Sequence, residues 1–266
     1  RGEEKFATSR TATGRSGDSA TGVPLKPVSI DVHHHIVPPA YLEAVGPQRD
    51  FAGTWTPAAA LEDMDKGGTE TSITCIYSGS ALAHHPDARG VSRRCNEYAA
   101  QLNRDHPGRF GMFATLPMPD VEGCLAEVAY AFDVLKADGV FMMTSYGNRW
   151  LGDPHFAPLW AELNRRKAVI FIHPHAPDCC KGLIPEVTPA TIEYTADTTR
   201  TIASLLFSGM ASKYANVEII FSHGGGTLPF LIERFTRLQH LSLEGTSVAA
   251  LASHPAICAS SGSGSA

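Results

Sequence analysis

Six short apolar runs, separated by segments with helical spacing, constrain the fold of this 266-residue chain more than any other feature. Runs rich in Val, Ile and Phe are typical of strands buried in a parallel sheet. When strands alternate with helices, right-handed crossovers bring the carboxyl ends of all strands to one face. The sequence therefore predicts an α/β fold. Its strands are expected at residues 28–33, 71–77, 109–115, 139–143, 168–172 and 217–222.

Helix signals fill the segments between these runs. Thr56 and Pro57 supply an N-cap and a favoured first-turn proline for a helix that is expected to end before Gly67 and Gly68. Further helices are predicted over about 91–105, from Asp120, after Asp153 and Pro154, over about 190–214 and over 228–241. The resulting β–α units occupy about 215 residues, whereas a complete eight-unit barrel typically takes about 250. The sequence predicts a TIM-barrel-like (β/α)8 fold that is incomplete, with about six units present.

The two ends of the chain differ in composition from its middle. Residues 1–27 are rich in Ser, Thr, Gly and Arg and contain almost no apolar side chains, so we expect a disordered leader. Over residues 243–266 the helical pattern dissolves into an irregular tail that ends in alternating Ser and Gly. The predicted barrel domain is therefore 28–242.

Composition and charge argue against several classes of partner. The 22 basic and 27 acidic residues form no basic stripe, so nucleic acid and anionic membranes are not expected as partners. No apolar run reaches the roughly 18 residues of a membrane span. The six cysteines show no C-x-x-C spacing, and a reducing, cytoplasmic location is expected. Cys179 and Cys180 are adjacent and could touch a metal or oxidise, but no third ligand pattern surrounds them.

The first predicted strand runs into three consecutive histidines. Because side chains alternate along a strand, His33 and His35 project to one side and His34 to the other. Zinc binds imidazole nitrogens at about 2.0–2.1 Å, and two ligands spaced in this way suit such a metal. The alternative is a tag remnant or a surface histidine run, but tags are longer and rarely lie within a strand. We therefore predict His33 and His35 as metal ligands.

Two further histidines close later strands. His173 could simply donate to a backbone carbonyl, but together with the first pair it would complete the three-ligand open site of catalytic zinc. His223 could be a fourth ligand or a general acid/base, because its ordinary pKa lies near working pH. The glycines after it, 224–226, could let a substrate approach the backbone closely or could form a tight turn. His175, beyond Pro174, ranks lower.

The loop after the fourth strand is the main candidate for substrate binding. Asn148, Arg149 and Trp150 offer an amide, a cation and an aromatic ring, which together suit a planar carboxylate. The alternative is a surface loop whose tryptophan packs on a neighbouring helix. His84 and His85 follow the second strand on the same face, but a flexible polar loop accounts for such residues more often than catalysis does.

With these residues identified, the chain resembles the amidohydrolase superfamily. The resemblance is strongest to the branch of aminocarboxymuconate-semialdehyde, γ-resorcylate and 5-carboxyvanillate decarboxylases, and it covers about residues 28–242. It rests on the stretches Asp31–His35, Ile172–Pro174, Ser222–Gly225, Gly147–Pro154 and Leu159–Arg166. Together these stretches are typical of the branch without indicating one substrate.

The resemblance implies a distorted (β/α)8 barrel with one divalent metal, zinc as the first choice and manganese as the second. His33, His35 and His173 match the family's metal-ligand histidines, and His223 matches the histidine that acts on metal-bound water or on the substrate. A small carboxylate substrate and a homo-oligomer, expected to be a dimer, are also implied. The family's last ligand is an aspartate in a Gly-Ser/Thr-Asp-Phe/Tyr-Pro stretch after strand eight. This sequence has no such stretch.

Three hypotheses about function follow. The leading hypothesis is a metal-dependent, non-oxidative decarboxylase of an unsaturated or hydroxyaromatic carboxylate. The second is a metal-dependent hydrolase of a lactone or amide on the same scaffold, which would open a ring or an amide instead of releasing carbon dioxide. The third is a truncated, inactive metal-binding remnant, which would show weak metal binding and low activity even with added zinc or manganese.

Overall fold

The computed structural model describes residues 29–46 and 55–242, with side chains described to residue 238. The predicted leader 1–27 and tail 243–266 lie outside the described residues. Within this part, six strands form one sheet in sequential order, and every neighbouring pair is parallel. The strands are β1 (Ile30–Ile36), β2 (Thr71–Ile76), β3 (Phe110–Thr115), β4 (Gly139–Met143), β5 (Val169–His173) and β6 (Glu218–Phe221).

All six predicted strands are present, and the end of β1 differs most from the prediction. The sequence predicts its end at residue 33, but the strand continues to Ile36. Its last residues stay in the ladder, with His34 opposite Thr74 and His35 opposite Cys75. The predicted alternation of His33, His34 and His35 already requires them to lie in a strand, and the backbone pairing with β2 keeps His34 and His35 there.

The sheet curls strongly. The ring centroids of His33 on β1 and Phe171 on β5 are 5.3 Å apart. Three strands separate β1 from β5 in the sheet, so a flat sheet would hold these residues roughly 19 Å apart at the usual strand spacing of about 4.8 Å. The interior of the curl is therefore closed by side chains from non-neighbouring strands. This arrangement confirms the predicted α/β fold with part of a barrel wall.

Helices cover the outside of the sheet. In chain order they are α1 (Pro39–Val45), α2 (Pro57–Gly67), α3 (Ala88–Asp105), α4 (Val121–Tyr130), α5 (Ala157–Arg166), α6 (Pro189–Phe207), α7 (Met210–Lys213) and α8 (Leu228–Ser242). The sequence predicts one helix over 190–214, whereas the structure has two. Gly209 separates α6 from α7 because it adopts a left-handed conformation with φ 76°. Helix α1 was not predicted.

Caps and core explain why these elements form where they do. The side chain of Thr56 accepts from the backbone N–H of Ala59, and Asp120 caps α4 in the same way through Gly123. Trp160 on α5 is almost fully buried against the sheet, and its indole N–H donates to the Leu151 carbonyl at 2.9 Å. Among the described helices, none has the length and apolarity of a bilayer span.

Candidate metal centre

The carboxyl end of β1 directs two imidazoles into the interior of the curl. The pairing with β2 shifts register between Asp31 and His34, and the backbone N–H of His33 donates to the Asp31 carboxylate at 2.9 Å. The Nε2 atoms of His33 and His35 lie 3.2 Å apart. His34 turns the other way, with its ring 6.3 Å from that of Phe110. The expected alternation along the strand is therefore present.

His173 and His223 join this pair from other strands. The ring of His173, at the end of β5, lies 5.0 Å from His33 and 4.9 Å from His35 between centroids. His223, just after β6, lies 5.1 Å from His33 and 5.2 Å from His173. One ring nitrogen of each of His33, His173 and His223 lies within 4.8 Å of the others. The four histidines singled out in the sequence thus form one cluster.

Backbone carbonyls fix the orientation of two of these rings. The Nδ1 atom of His35 lies 3.1 Å from the Ile76 carbonyl oxygen, and that of His173 lies 2.8 Å from the Pro174 carbonyl oxygen. Because a carbonyl oxygen only accepts, each Nδ1 carries the proton and each Nε2 keeps its lone pair. Metal-binding histidines commonly donate from the other ring nitrogen to a backbone carbonyl in this way. Both rings therefore present the atom that a metal would use.

Burial favours the neutral form of these imidazoles. Burial, followed by the neighbouring imidazole of His223, lowers the pKa of His33 to about 4, and burial, followed by His33, lowers that of His35 to about 3. Burial, followed by His35 and His33, holds the pKa of His173 well below its ordinary value. Neutral imidazole is the form that binds metal. Convergent neutral nitrogens from several strands are a donor set that fits a borderline divalent ion such as zinc.

The turn after β6 holds His223 in an unusual conformation. His223 has φ 52°, a left-handed value that side chains other than glycine rarely adopt. The following residue, Gly224, is also left-handed. A Cβ on Gly226 would collide with the carbonyl oxygen of Thr195 on α6. The glycines after His223 form a tight turn against α6. This turn places His223 at the open end of the curled sheet.

Comparisons with known proteins agree with this arrangement. Residues 30–258 match the family model described as amidohydrolase. The chain belongs to the amidohydrolase family. The resemblance to the superfamily that the sequence predicts is thereby confirmed. Relatives of this chain include decarboxylases of the predicted branch.

Two fungal relatives and one solved structure illustrate the similarity. Decarboxylase yanB of Aspergillus niger is 44% identical over 229 residues, covering 80% of this amidohydrolase chain and 61% of that protein. The 6-methylsalicylic acid decarboxylase acuB of Aspergillus aculeatus is 40% identical over 219 residues, covering 78% and 66%. The chain thus spans about two thirds or less of these relatives. A dihydroxybenzoic acid decarboxylase from Polaromonas, solved with manganese and the inhibitor 2-nitroresorcinol, superposes with TM-score 0.70 at 22% identity, covering 87% and 74%.

The loop after β4 forms a short hairpin. It pairs Ser145–Tyr146 with Arg149–Trp150. Asn148 and Arg149 are exposed, whereas the indole N–H of Trp150 donates to the Asp197 carboxylate on α6 at 2.8 Å. Asp197 is completely buried, and the sequence offered no signal for it, because a single aspartate in a helical pattern has no recognisable motif. The predicted substrate loop is thus bound to α6 through Trp150.

Two tyrosines that sequence reasoning missed pack against the histidine cluster. The ring of Tyr77 lies 5.6 Å from that of His35. The ring of Tyr194, on α6, lies 6.2 Å from His173 and 6.1 Å from His223. Tyr77 directly follows β2 and could have been found by its place at the carboxyl end of a strand. Tyr194 lies inside a helix, so only the folded structure reveals it.

The remaining candidate residues from the sequence have other contacts in the structure. His85 accepts from the backbone N–H of Asp87 at 3.1 Å, as turn residues do, and His84 is exposed. The Nε2 atom of His175 lies 2.9 Å from the Ser145 carbonyl oxygen, to which it donates. Cys179 and Cys180 lie side by side in an exposed turn after β5, with their Sγ atoms 2.7 Å apart.

Proposed function

We propose that this chain carries the catalytic histidines of a metal-dependent, non-oxidative decarboxylase of a hydroxyaromatic carboxylate. The observation that carries the proposal is the convergence of His33, His173 and His223, with ring nitrogens within 4.8 Å of one another. The names of the relatives support the class of reaction, since yanB is a decarboxylase and acuB acts on 6-methylsalicylic acid. The proposed reaction also applies to an unsaturated, non-aromatic carboxylate substrate.

His33, His35 and His173 would hold one divalent ion. The Nδ1 hydrogen bonds of His35 and His173 to backbone carbonyls support this assignment, because they leave both Nε2 atoms available. Zinc is our first choice, because it favours imidazole ligands. Manganese is the alternative, since the Polaromonas enzyme was solved with it. When bound, the ion supplies Lewis acidity that polarises a carboxylate-bearing substrate.

His223 would be the general acid. It is the most exposed histidine of the cluster, and the Ser222 hydroxyl lies 3.2 Å from its Nδ1. Burial lowers the pKa of His223, but a bound anionic substrate would favour the protonated ring. The proton passes from the imidazolium to the ring carbon that bears the carboxylate. The bond to the carboxylate then breaks, its electron pair restores the aromatic ring, and carbon dioxide leaves.

Aromatic side chains beside the cluster and polar side chains on the hairpin would hold the substrate. Tyr77 and Tyr194 border the histidines and offer faces on which an aromatic ring can pack. Asn148 and Arg149 at the hairpin tip provide an amide and a cation for the carboxylate, and Trp150 places the hairpin against α6. A flat, anionic, hydroxylated ring suits this combination.

The proposal is tested with the full chain loaded with zinc or with manganese. We expect 6-methylsalicylate or 2,6-dihydroxybenzoate to be converted stoichiometrically into carbon dioxide and the corresponding phenol. Lactones and simple amides serve as the second panel. Ring or amide opening without carbon dioxide would assign the chain to the hydrolase alternative. Tight metal binding with no turnover on either panel would contradict the proposed function.

Two further proposals concern the setting of the enzyme. We propose a reducing, cytoplasmic location, supported by Cys75, Cys95 and Cys124, which are buried free thiols. We also propose a homodimer, following the family resemblance. Sedimentation of the full chain at several concentrations tests the dimer, and a single monomeric species would contradict it.

A further inference from the structure

Asp197 is a carboxylate in a setting where an unpaired charge would be costly. Its side chain is completely buried in the packing of α6 against the catalytic face. Burying an ionised carboxylate costs several kcal/mol unless hydrogen bonds or counter-ions compensate for it. The Nη1 of Arg200 lies 3.7 Å from Oδ1, close enough to attract the charge but beyond hydrogen-bonding distance. The hydrogen bonds to the carboxylate therefore come from other residues.

Three donors supply those hydrogen bonds, and all three belong to the segment after β4. The hydroxyl of Thr144 donates to Oδ2, and the hydroxyl of Ser145 donates to the same oxygen at 3.1 Å. The indole N–H of Trp150 donates to Oδ1 at 2.8 Å. One carboxylate thus binds both the start of the hairpin and its second strand.

The same segment is connected to the histidine cluster. The backbone N–H of Thr144 donates to the carbonyl of His173 at 3.0 Å. The carbonyl of Thr144 accepts from the hydroxyl of Thr201, one helical turn beyond Asp197, at 2.7 Å. Thr144 is therefore held by α6 through its side chain and its carbonyl, while its N–H holds the residue that ends β5.

From these contacts we propose that Asp197 is a positioning residue that sets the hairpin, and with it Asn148 and Arg149, relative to the histidine cluster. It does so through Trp150 and Thr144 and does not touch the substrate. The expected change in KM rests on the proposed function, whereas the expected position of the hairpin does not. A carboxylate suits the role because its two oxygens accept all three donors at once, which an amide cannot do.

The kinetic test compares Asp197→Ala with a matched control. Glu127 is also a buried carboxylate, bound by Arg93 and Asn96 on α3, away from the hairpin. Both Asp197→Ala and Glu127→Ala are expected to lower the Tm. Only Asp197→Ala is expected to raise the KM for the carboxylate substrate, by about tenfold, which corresponds to loss of about 1.4 kcal/mol of binding. Equal effects on KM in the two variants would overturn the proposal.

A double-mutant cycle tests the route through Trp150. Trp150→Phe keeps the aromatic ring but removes the N–H that donates to Asp197. If Asp197 acts through this contact, Trp150→Phe raises KM in the unaltered chain but changes it less than about twofold in the Asp197→Ala chain. Fully additive effects would show that the two residues act independently, against the proposal.

A third measurement separates this inference from the proposed function. The difference in tryptophan fluorescence between the full chain and its Trp150→Phe variant reports the surroundings of Trp150 alone. We expect Asp197→Ala to shift this emission to the red, because the indole loses its acceptor and gains access to water, while Glu127→Ala leaves it unchanged. An unchanged emission in Asp197→Ala overturns the positioning role. This result holds whether or not the chain decarboxylates anything, so the two failures are distinguishable.

Discussion

At the scale of single residues, the four histidines are equivalent in chemistry but not in surroundings. His35 and His173 have their Nδ1 atoms bound to backbone carbonyls, whereas His223 contacts a serine hydroxyl that can rotate. A ring fixed by a carbonyl is suited to hold an ion, and a ring beside a hydroxyl is suited to gain and lose a proton. This difference supports the proposed roles of His35 and His173 as ligands and of His223 as the acid.

Asparagine substitutions test that separation. We expect His173→Asn to lose the bound metal, because one neutral imidazole is removed from the site. His223→Asn is expected to keep the metal and to lower kcat by about a hundredfold to ten-thousandfold, the usual contribution of a general acid. Elemental analysis and turnover are measured on the same samples, with the exposed His84→Asn as the control. Loss of metal from His223→Asn would make His223 a ligand instead.

Gly226 is a second residue whose role follows from local geometry. It has φ 68°, and a Cβ there would collide with the Thr195 carbonyl oxygen. We expect Gly226→Ala to destabilise the fold by more than about 2 kcal/mol, since backbone strain and the collision add. Gly182→Ala is the matched control, because Gly182 has φ 69° with nothing within 4 Å of the added Cβ. Urea unfolding measures both, and equal losses would show that strain alone matters.

At the scale of elements, ion pairs bind the carboxyl end of α5 to the turn that continues α4. Arg165 donates to the Glu162 carboxylate at 2.6 and 2.8 Å, and Arg166 donates to it at 2.6 Å. Arg166 also pairs with Asp133, which lies in the π-helical turn that continues α4. Hydrogen bonds from Arg165, followed by those from Arg166, lower the pKa of Glu162 from 4.5 to about 2.

The lowered pKa of Glu162 predicts a pH dependence. A carboxyl group whose pKa is lower in the folded state stabilises the fold above its unfolded pKa, and this stabilisation is lost as pH falls towards the folded value. The difference in unfolding free energy between the full chain and Glu162→Gln should therefore shrink between pH 5 and pH 3, a window set by the pKa values 4.5 and about 2. Urea titrations at each pH measure it. In a chain that carries Arg165→Ala and Arg166→Ala, the same comparison should show no such trend, because the hydrogen bonds that lower the pKa of Glu162 are gone.

The elements also show what the sequence could and could not predict. The strands were found because apolar runs of β-branched and aromatic residues depend only on local composition. The position of His33 and His35 on one side followed from the period of a strand. The hairpin at Trp150, its bond to Asp197 and the place of Tyr194 could not be predicted, because they depend on how α6 packs across β4 and β5. Site residues at strand ends are readable in the sequence, and those contributed by helices are not.

At the scale of the whole molecule, the histidine cluster connects parts of the chain that are far apart in the sheet. His33 and His35 lie on β1, at one edge, whereas His173 ends β5 and His223 follows β6, the strand at the other edge. Hydrogen bonds between strands link only neighbours, so within the sheet β1 is joined to β5 and β6 through side chains. An ion bound by His33, His35 and His173 would cross-link β1 to β5.

Such a cross-link predicts that metal stabilises the whole fold. A ligand that binds only the folded state adds about 2.7 kcal/mol at a free concentration one hundred times its Kd. We therefore expect zinc to raise the Tm of the metal-free chain, and a chelator to reverse the increase. His173→Asn should abolish it, because the contact between β5 and β1 through the ion is lost, while His84→Asn should not. An equal rise of the Tm in His173→Asn would place the stabilising metal elsewhere. No rise of the Tm in the unaltered chain would show that the cluster does not bind the ion tightly enough to join β1 to β5.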